Sequence, residues 1–162
     1  MVAGAALAVL AAFIFSLALT SGAYLILEND ETGEVLLRHP VYQGQQFSVD
    51  FIHSVNLSPV KEIFVVAGGE ITLTAIEFET FGAGMPAELE PGQVLVRLPD
   101  GGMRIEGFDR PAGQLRYIIP RGGDITLVIG EQRIPLGSLD APGQTVRFSV
   151  FQRGLRQIVV RN

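Results

Sequence analysis

The 162-residue sequence contains no cysteine, which excludes disulfide bonds, cysteine-ligated metals and thiol catalysis. It also lacks a Gly-x-Ser-x-Gly elbow, a phosphate-binding loop and a dinucleotide fingerprint, so the common signatures of hydrolases and nucleotide-binding enzymes are missing. Positive charge is scarce, because 17 acidic residues outnumber 12 basic ones and leave a net charge of −5. Since nucleic-acid binding depends largely on neutralising phosphates with Lys and Arg, we expect no nucleic-acid partner.

The few basic residues are concentrated in the second half of the chain. Residues 1–90 carry eleven acids and two bases, which gives −9, whereas residues 91–162 carry six acids and ten arginines, which gives +4. Two interpretations are open. The folded body is either electrically polar, or its strands interleave the two halves so that the charges pair and cancel.

Long apolar runs are also absent, except at the N-terminus. Residues 2–19 are apolar apart from Gly4 and Ser16, a length that just spans a bilayer as a helix. We therefore expect one transmembrane or signal helix over residues 1–23, with a buried core helix as the less favoured alternative. Four acids between residues 28 and 34 and no preceding Lys or Arg favour an extracytoplasmic location for the rest of the chain.

The sequence is compatible with both cleavage and retention of this N-terminal segment. Ser21-Gly22-Ala23 satisfies the small-x-small rule for signal-peptide cleavage. The sequence thus predicts either a single-pass protein of the cytoplasmic membrane with its body in the periplasm, or, if the signal is removed, a periplasmic or secreted protein.

Residues 24–162 show no convincing helical periodicity, and their short alternating runs are separated by Gly, Pro, Asp and Asn. This pattern predicts one all-β domain, an antiparallel β-sandwich or barrel of about ten to twelve strands. Hairpins are expected around residues 29–33 and 100–102. The alternation slips its phase near Ala75, which predicts a β-bulge there.

The most distinctive stretch is residues 51–64, where two apolar runs flank Ser58-Pro59. A turn centred between Leu57 and Ser58 would place His53 directly opposite Glu62. A carboxylate beside an imidazole favours the imidazolium, so the pair is predicted to act as a pH-sensitive latch or simply as a cross-strand polar pair. The second distinctive stretch is Phe81-Gly82-Ala83-Gly84-Met85-Pro86, which predicts either a pocket lip or a tight corner between sheets.

The pattern His53-Ser54-Val55, Pro59-Val60, Glu62 and then Gly82-Ala83-Gly84-Met85-Pro86 resembles the domain of unknown function 1850 family. The resemblance runs from about Leu25 to the C-terminus. Members of that family are small β-proteins commonly encoded beside tripartite (TRAP-type) solute transporters. The resemblance implies a membrane subunit of such a transporter as the partner, and it implies no chemistry, because the family has no established activity.

Catalysis and metal binding find little support in the residues themselves. His53 and Ser54 are neighbours on a strand and point to opposite faces, so they cannot form a nucleophile and base pair. A metal needs three or four ligands, and this region offers only His39, Asp50, His53 and Glu62, with Asp50 expected to face away. We therefore expect no enzyme, no metal and no cofactor.

Together these observations predict a membrane-tethered, extracytoplasmic accessory or interaction module of a TRAP-type transporter. The alternative is a periplasmic small-molecule or peptide binding protein, with a cleft between the His53 hairpin and the loop of residues 82–86. The candidate binding or interaction residues are His53, Ser54, Pro59, Glu62, Phe81, Gly82, Gly84, Met85 and Pro86.

Overall fold

The computed structural model describes residues 22–80 and 88–152. Residues 1–21 of the predicted N-terminal helix lie outside the described residues. The first described strand begins with Ala23, whereas the sequence predicts Ala23 as the last residue of the N-terminal helix. Across the two described ranges, no helix has the length and hydrophobicity that a membrane span requires.

The described residues form an all-β structure, as the alternating pattern predicts. A single 3₁₀ turn, Leu136–Ser138, is the helical element in these ranges. The strands are β1 Ala23–Asn29, β2 Val35–Val41, β3 Gln46–Ile52, β4 Pro59–Ala67, β5 Glu70–Phe78, β6 Val94–Arg97, β7 Met103–Pro111, β8 Leu115–Ile118, β9 Ile125–Ile129, β10 Gln132–Pro135 and β11 Thr145–Gln152.

The strands build two antiparallel sheets. The four-stranded sheet has the order β2-β1-β11-β8, and the seven-stranded sheet has the order β10-β9-β3-β4-β5-β7-β6. The main core lies between the two sheets, because apolar side chains of both belong to one buried cluster. Phe148 of β11, for example, stacks on Phe47 of β3 with ring centroids 6.4 Å apart. This face-to-face packing is a sandwich.

A smaller core continues along β4, β5 and β7 of the seven-stranded sheet. Its buried members are Val60, Ile76, Phe78, Ile105 and Phe108.

The bulge predicted near Ala75 is confirmed, since the register between β4 and β5 shifts at this point and Thr74 has no partner in the ladder. The bulge keeps apolar residues on the core face on both sides of the shift.

The sandwich has two ends, which matter for function. We call the end where β1 begins the entry end; there Ala23 pairs with Val41 and Gln152, and the β4–β5 turn approaches the Gln152 side chain. We call the other the hairpin end; there β3 and β4 finish with the pair Ile52 and Pro59. At about 3.4 Å per residue, the seven residues of β3 separate the ends by roughly 20 Å.

Ion pairs connect the acidic first half of the chain to the basic second half. Arginines beyond residue 91 pair with carboxylates before it in Arg116–Asp30, Arg147–Glu28, Arg133–Asp50, Arg104–Glu77 and Arg110–Glu90. The strands of the two halves are therefore interleaved, and their charges pair, as the second of the two interpretations predicts.

Candidate functional site

The β3–β4 hairpin differs from its predicted register. The ladder pairs Val49 with Glu62 and Ile52 with Pro59, so the loop is centred between residues 55 and 56, not between Leu57 and Ser58. The prediction that His53 lies opposite Glu62 was therefore wrong. The reason is that Pro59, which has no N–H to donate, opens β4 instead of forming a tight turn, and residues 53–58 make a longer loop.

We call residues 52–58 the hairpin tip, and His53 holds it together. Its ring Nδ1 accepts hydrogen bonds from the backbone N–H groups of Val55 and Asn56, at 3.2 Å each. Its backbone N–H donates to Ser58 O, and its carbonyl accepts from the Leu57 N–H. An imidazole that accepts at Nδ1 carries its proton on Nε2. The sequence-predicted histidine is thus a turn-stabilising residue, and Ser54 is exposed beside it.

The same arrangement occurs at Asn29, whose side-chain oxygen accepts from the N–H groups two and three positions later. We therefore expect His53→Ala to destabilise the domain by about 1 kcal/mol, because two backbone donors lose their acceptor. His53→Asn should recover most of that loss by forming the Asn29 type of turn. Chemical denaturation of the three proteins measures the difference. Equal losses for Ala and Asn would show that the two N–H bonds do not stabilise the tip.

The hairpin tip exposes apolar side chains. Ile52, Val55 and Leu57 are 56%, 67% and 77% exposed. Full burial of an apolar side chain of this size stabilises a protein by about 1.5–3 kcal/mol, and the domain lacks this stabilisation at the tip. Leu57 also has a positive φ of 51°, a conformation that costs a non-glycine residue roughly 1–2 kcal/mol. Backbone strain and apolar exposure on one ordered loop are typical of a surface that is completed by another molecule.

Glu62 lies on the core face of β4. It alternates in phase with the buried residues Val60, Phe64 and Val66, and its ladder partner Val49 is fully buried. Tyr117 reaches it from β8 of the opposite sheet and donates its phenolic hydrogen to Glu62 Oε2. The Tyr117 ring packs between Phe51, at 6.1 Å, and Phe148, at 5.6 Å. This bond therefore joins the two sheets inside the sandwich.

Burial shapes the acid–base properties of both groups. Desolvation raises the pKa of Glu62 above its ordinary value, and the hydrogen bond from Tyr117 lowers it in part. Burial also raises the pKa of Tyr117, and the neighbouring Glu62 charge and hydrogen bond add to the rise. The phenol therefore stays protonated as a donor, and Glu62 is a carboxyl group that ionises less readily than a surface one.

The described residues on either side of the second sequence motif contact the hairpin tip and β7. Thr80, the last described residue before this motif, donates its Oγ1 hydrogen to Ser58 Oγ of the hairpin tip over 3.1 Å. Beyond the motif, Glu90 pairs with Arg110 of β7 at 2.7 Å. Five candidate residues lie outside the described part of the chain: Phe81, Gly82, Gly84, Met85 and Pro86.

A cleft of about 210 Å³ opens beside Pro59 at the hairpin end. Four carboxylates line it, together with Lys61, which pairs with Glu77 at 2.9 Å. The carboxylates belong to Asp50, Glu77, Glu79 and Asp100. The cleft is therefore small and charged, in contrast to the apolar pocket that drug-sized ligands prefer.

Sequence reasoning missed four residues of this site. Ile52, Val55 and Leu57 could have been suspected, because apolar residues in or beside a polar loop have no core to enter. Tyr117 carries no such signal, since its contact with Glu62 spans 55 residues and depends on how the two sheets stack.

Fold and site define a two-sheet β domain with an apolar hairpin tip and an internal carboxyl–phenol pair. The chain belongs to the family described as Domain of unknown function (DUF1850), whose model matches residues 47–136. The matched region runs from β3 to the residue after β10 and so includes the hairpin tip, Glu62 and Tyr117. No curated protein and no solved structure matches the chain.

Proposed function

We propose that the protein is a non-catalytic, membrane-tethered accessory module that docks on a TRAP-type solute transporter outside the cytoplasm. The observation that carries this proposal is the hairpin tip, an ordered loop that presents Ile52, Val55 and Leu57 to solvent. The choice of transporter rests on the family, whose members are commonly encoded beside such systems. The tether is the apolar run of residues 2–19.

The surroundings of the tip define the chemistry of the partner surface. The loops at the hairpin end, residues 30–34, 98–102, 119–124 and 136–144, contain six carboxylates and one arginine, Arg121. One of the six, Asp30, is paired with Arg116 of β8. An apolar centre surrounded by acids is complemented by an apolar recess with a basic rim. The tip lies roughly 20 Å from the entry end. We therefore propose that it contacts a part of the transporter that projects from the bilayer.

The proposal predicts that Leu57→Asn weakens the complex without unfolding the domain. Asparagine tolerates positive φ better than leucine, so stability should stay equal or rise by up to about 1 kcal/mol. The lost apolar anchor should reduce capture of the co-expressed transporter about tenfold or more. Affinity purification of the full chain from membranes measures capture, and thermal unfolding measures stability.

Val94→Asn is the matched control, because Val94 is 56% exposed and lies on β6, away from the tip. Its capture should equal that of the wild type. A Leu57→Asn variant that captures the transporter as well as the wild type would overturn the proposed docking site.

A small-molecule binder is the second candidate, and the cleft beside Pro59 is the observation that favours it. Asp50 and Glu77 of this cleft are paired with Arg133 and Lys61. Glu79 and Asp100 would therefore be the carboxylates that select a small, positively charged ligand. Neutralising Glu79 and Asp100 should then weaken ligand binding and leave transporter capture intact. Leu57→Asn should weaken transporter capture and leave ligand binding intact.

A further inference from the structure

The exposed aromatic side chains gather at the entry end of the sandwich. Ten aromatic residues lie in the described ranges, and three of them are exposed: Tyr24 at 36%, Tyr42 at 55% and Phe151 at 54%. Tyr24 and Phe151 are ladder partners on β1 and β11. On its other side, Tyr24 pairs with Pro40 of β2. Tyr42 lies two positions after Pro40, directly beyond the end of β2. The three residues thus form one patch.

This patch lies where the apolar run reaches the domain. The run ends at Leu19, and β1 begins at Ala23, so the end of the run and Tyr24 are five residues apart. Even a fully extended connection of that length spans at most about 18 Å. If the run crosses a bilayer, the entry end must therefore lie close to the membrane surface.

Charge follows the same division. The turns at the entry end, residues 42–45, 68–69, 112–114 and 130–131, contain one charged residue, Glu131, among Gln, Gly, Ala and Tyr. The hairpin end, in contrast, has six carboxylates in its loops. Aromatic rings with few charges suit the headgroup layer of a membrane, whereas a cluster of carboxylates is repelled by anionic lipids.

From these observations we infer that the patch of Tyr24, Tyr42 and Phe151 rests in the lipid headgroup region and fixes the domain upright on the bilayer. The occupant of this surface is lipid, and the hairpin tip then points away from the membrane. The inference rests on the tether in the proposed function. The patch would be a second membrane contact beside the tether, and it would keep the hairpin tip at a constant distance from the bilayer.

The absence of tryptophan allows a direct test with single-tryptophan variants of the full chain. Tyr42→Trp reports on the patch and Leu57→Trp on the tip. Both proteins are reconstituted into vesicles of phosphatidylethanolamine and phosphatidylglycerol, with and without lipids brominated near the headgroup end of their acyl chains. Because interfacial side chains lie about 5–10 Å into the headgroup and acyl boundary, we expect the bromines to lower the emission of the Tyr42→Trp protein about twofold or more. The emission of the Leu57→Trp protein should stay unchanged.

Absence of quenching in the Tyr42→Trp protein, or equal quenching in both variants, would overturn the inference. Quenching in the Leu57→Trp protein alone would mean that the tip, not the patch, enters the lipid. The assay contains no transporter, so its outcome is independent of the capture experiment. Quenching of the Tyr42→Trp protein without capture would contradict only the proposed docking on the transporter. Capture without quenching would contradict only the membrane contact of the patch.

Discussion

Gly107→Ala should destabilise the domain by about 2–5 kcal/mol. Gly107 has a positive φ of 85°, and a Cβ built on it would lie 2.2 Å from Gly92 O. The left-handed backbone costs a non-glycine residue roughly 1–2 kcal/mol, and forcing extra volume into a packed contact adds about 1–3 kcal/mol. The obstacle is backbone, so no side-chain rotation relieves it. Urea unfolding followed by circular dichroism measures the loss.

Gly123→Ala separates the two contributions. Gly123 has nearly the same φ, 82°, but nothing lies within 4 Å of its Cβ position. Its substitution should therefore cost only the backbone strain. Comparable losses at Gly107 and Gly123 would show that the approach of Gly92 is not tight in the folded protein.

The contact of Gly107 with Gly92 also sets where residues 88–93 lie against β7. Gly92 belongs to this stretch, and Arg110 of β7 pairs with Glu90 of the same stretch. A Cβ on residue 107 would therefore displace residues 88–93 from β7.

Tyr117→Phe should have the second largest effect, a loss of about 1–3 kcal/mol at pH 8. The substitution removes the donor to Glu62 and leaves a buried carboxylate without that hydrogen bond. Hydrogen bonds to ionised acceptors are roughly twice as strong as neutral ones, so the loss should shrink once Glu62 is protonated. Unfolding measured at pH 8 and just below pH 4.5, the ordinary pKa of a glutamate carboxyl group, tests the difference.

The sign of the pH effect follows from the raised pKa of Glu62. Between its ordinary and its raised pKa, the folded state binds a proton that the unfolded state has released, so this group's contribution to stability falls as pH rises through that window. Glu62→Gln keeps an acceptor for Tyr117 and removes the charge. The stability of Glu62→Gln relative to the wild type should therefore increase as pH rises from 4.5 to 8.

The double variant completes this test. Tyr117→Phe should cost about 1 kcal/mol or less in the Glu62→Gln background, because only a neutral hydrogen bond is lost. Tyr42→Phe, at an exposed position, serves as the control and should change nothing. If the Tyr117→Phe loss were the same at both pH values and in both backgrounds, the phenol would not be bonded to the ionised carboxylate.

The all-β class and most strand positions could be predicted from the sequence, because they depend on local pattern. Alternation of apolar residues set the strands, glycine-rich turns set the hairpins at residues 29–33 and 100–102, and a phase slip marked the bulge near Ala75. The inward position of Glu62 was readable in the same way, since it keeps phase with Val60 and Phe64. Each of these features depends on neighbours within a few residues.

The sequence by itself thus determined which segments become strands and which of their faces are apolar. Only the tertiary structure decided the hairpin register, the Tyr117 bond to Glu62 and the separation of an aromatic entry end from an acidic hairpin end. The physical reason is that these features depend on how distant strands align and how the two sheets stack. Ladder hydrogen bonds and core packing of the whole domain fix that alignment, and no local pattern encodes it.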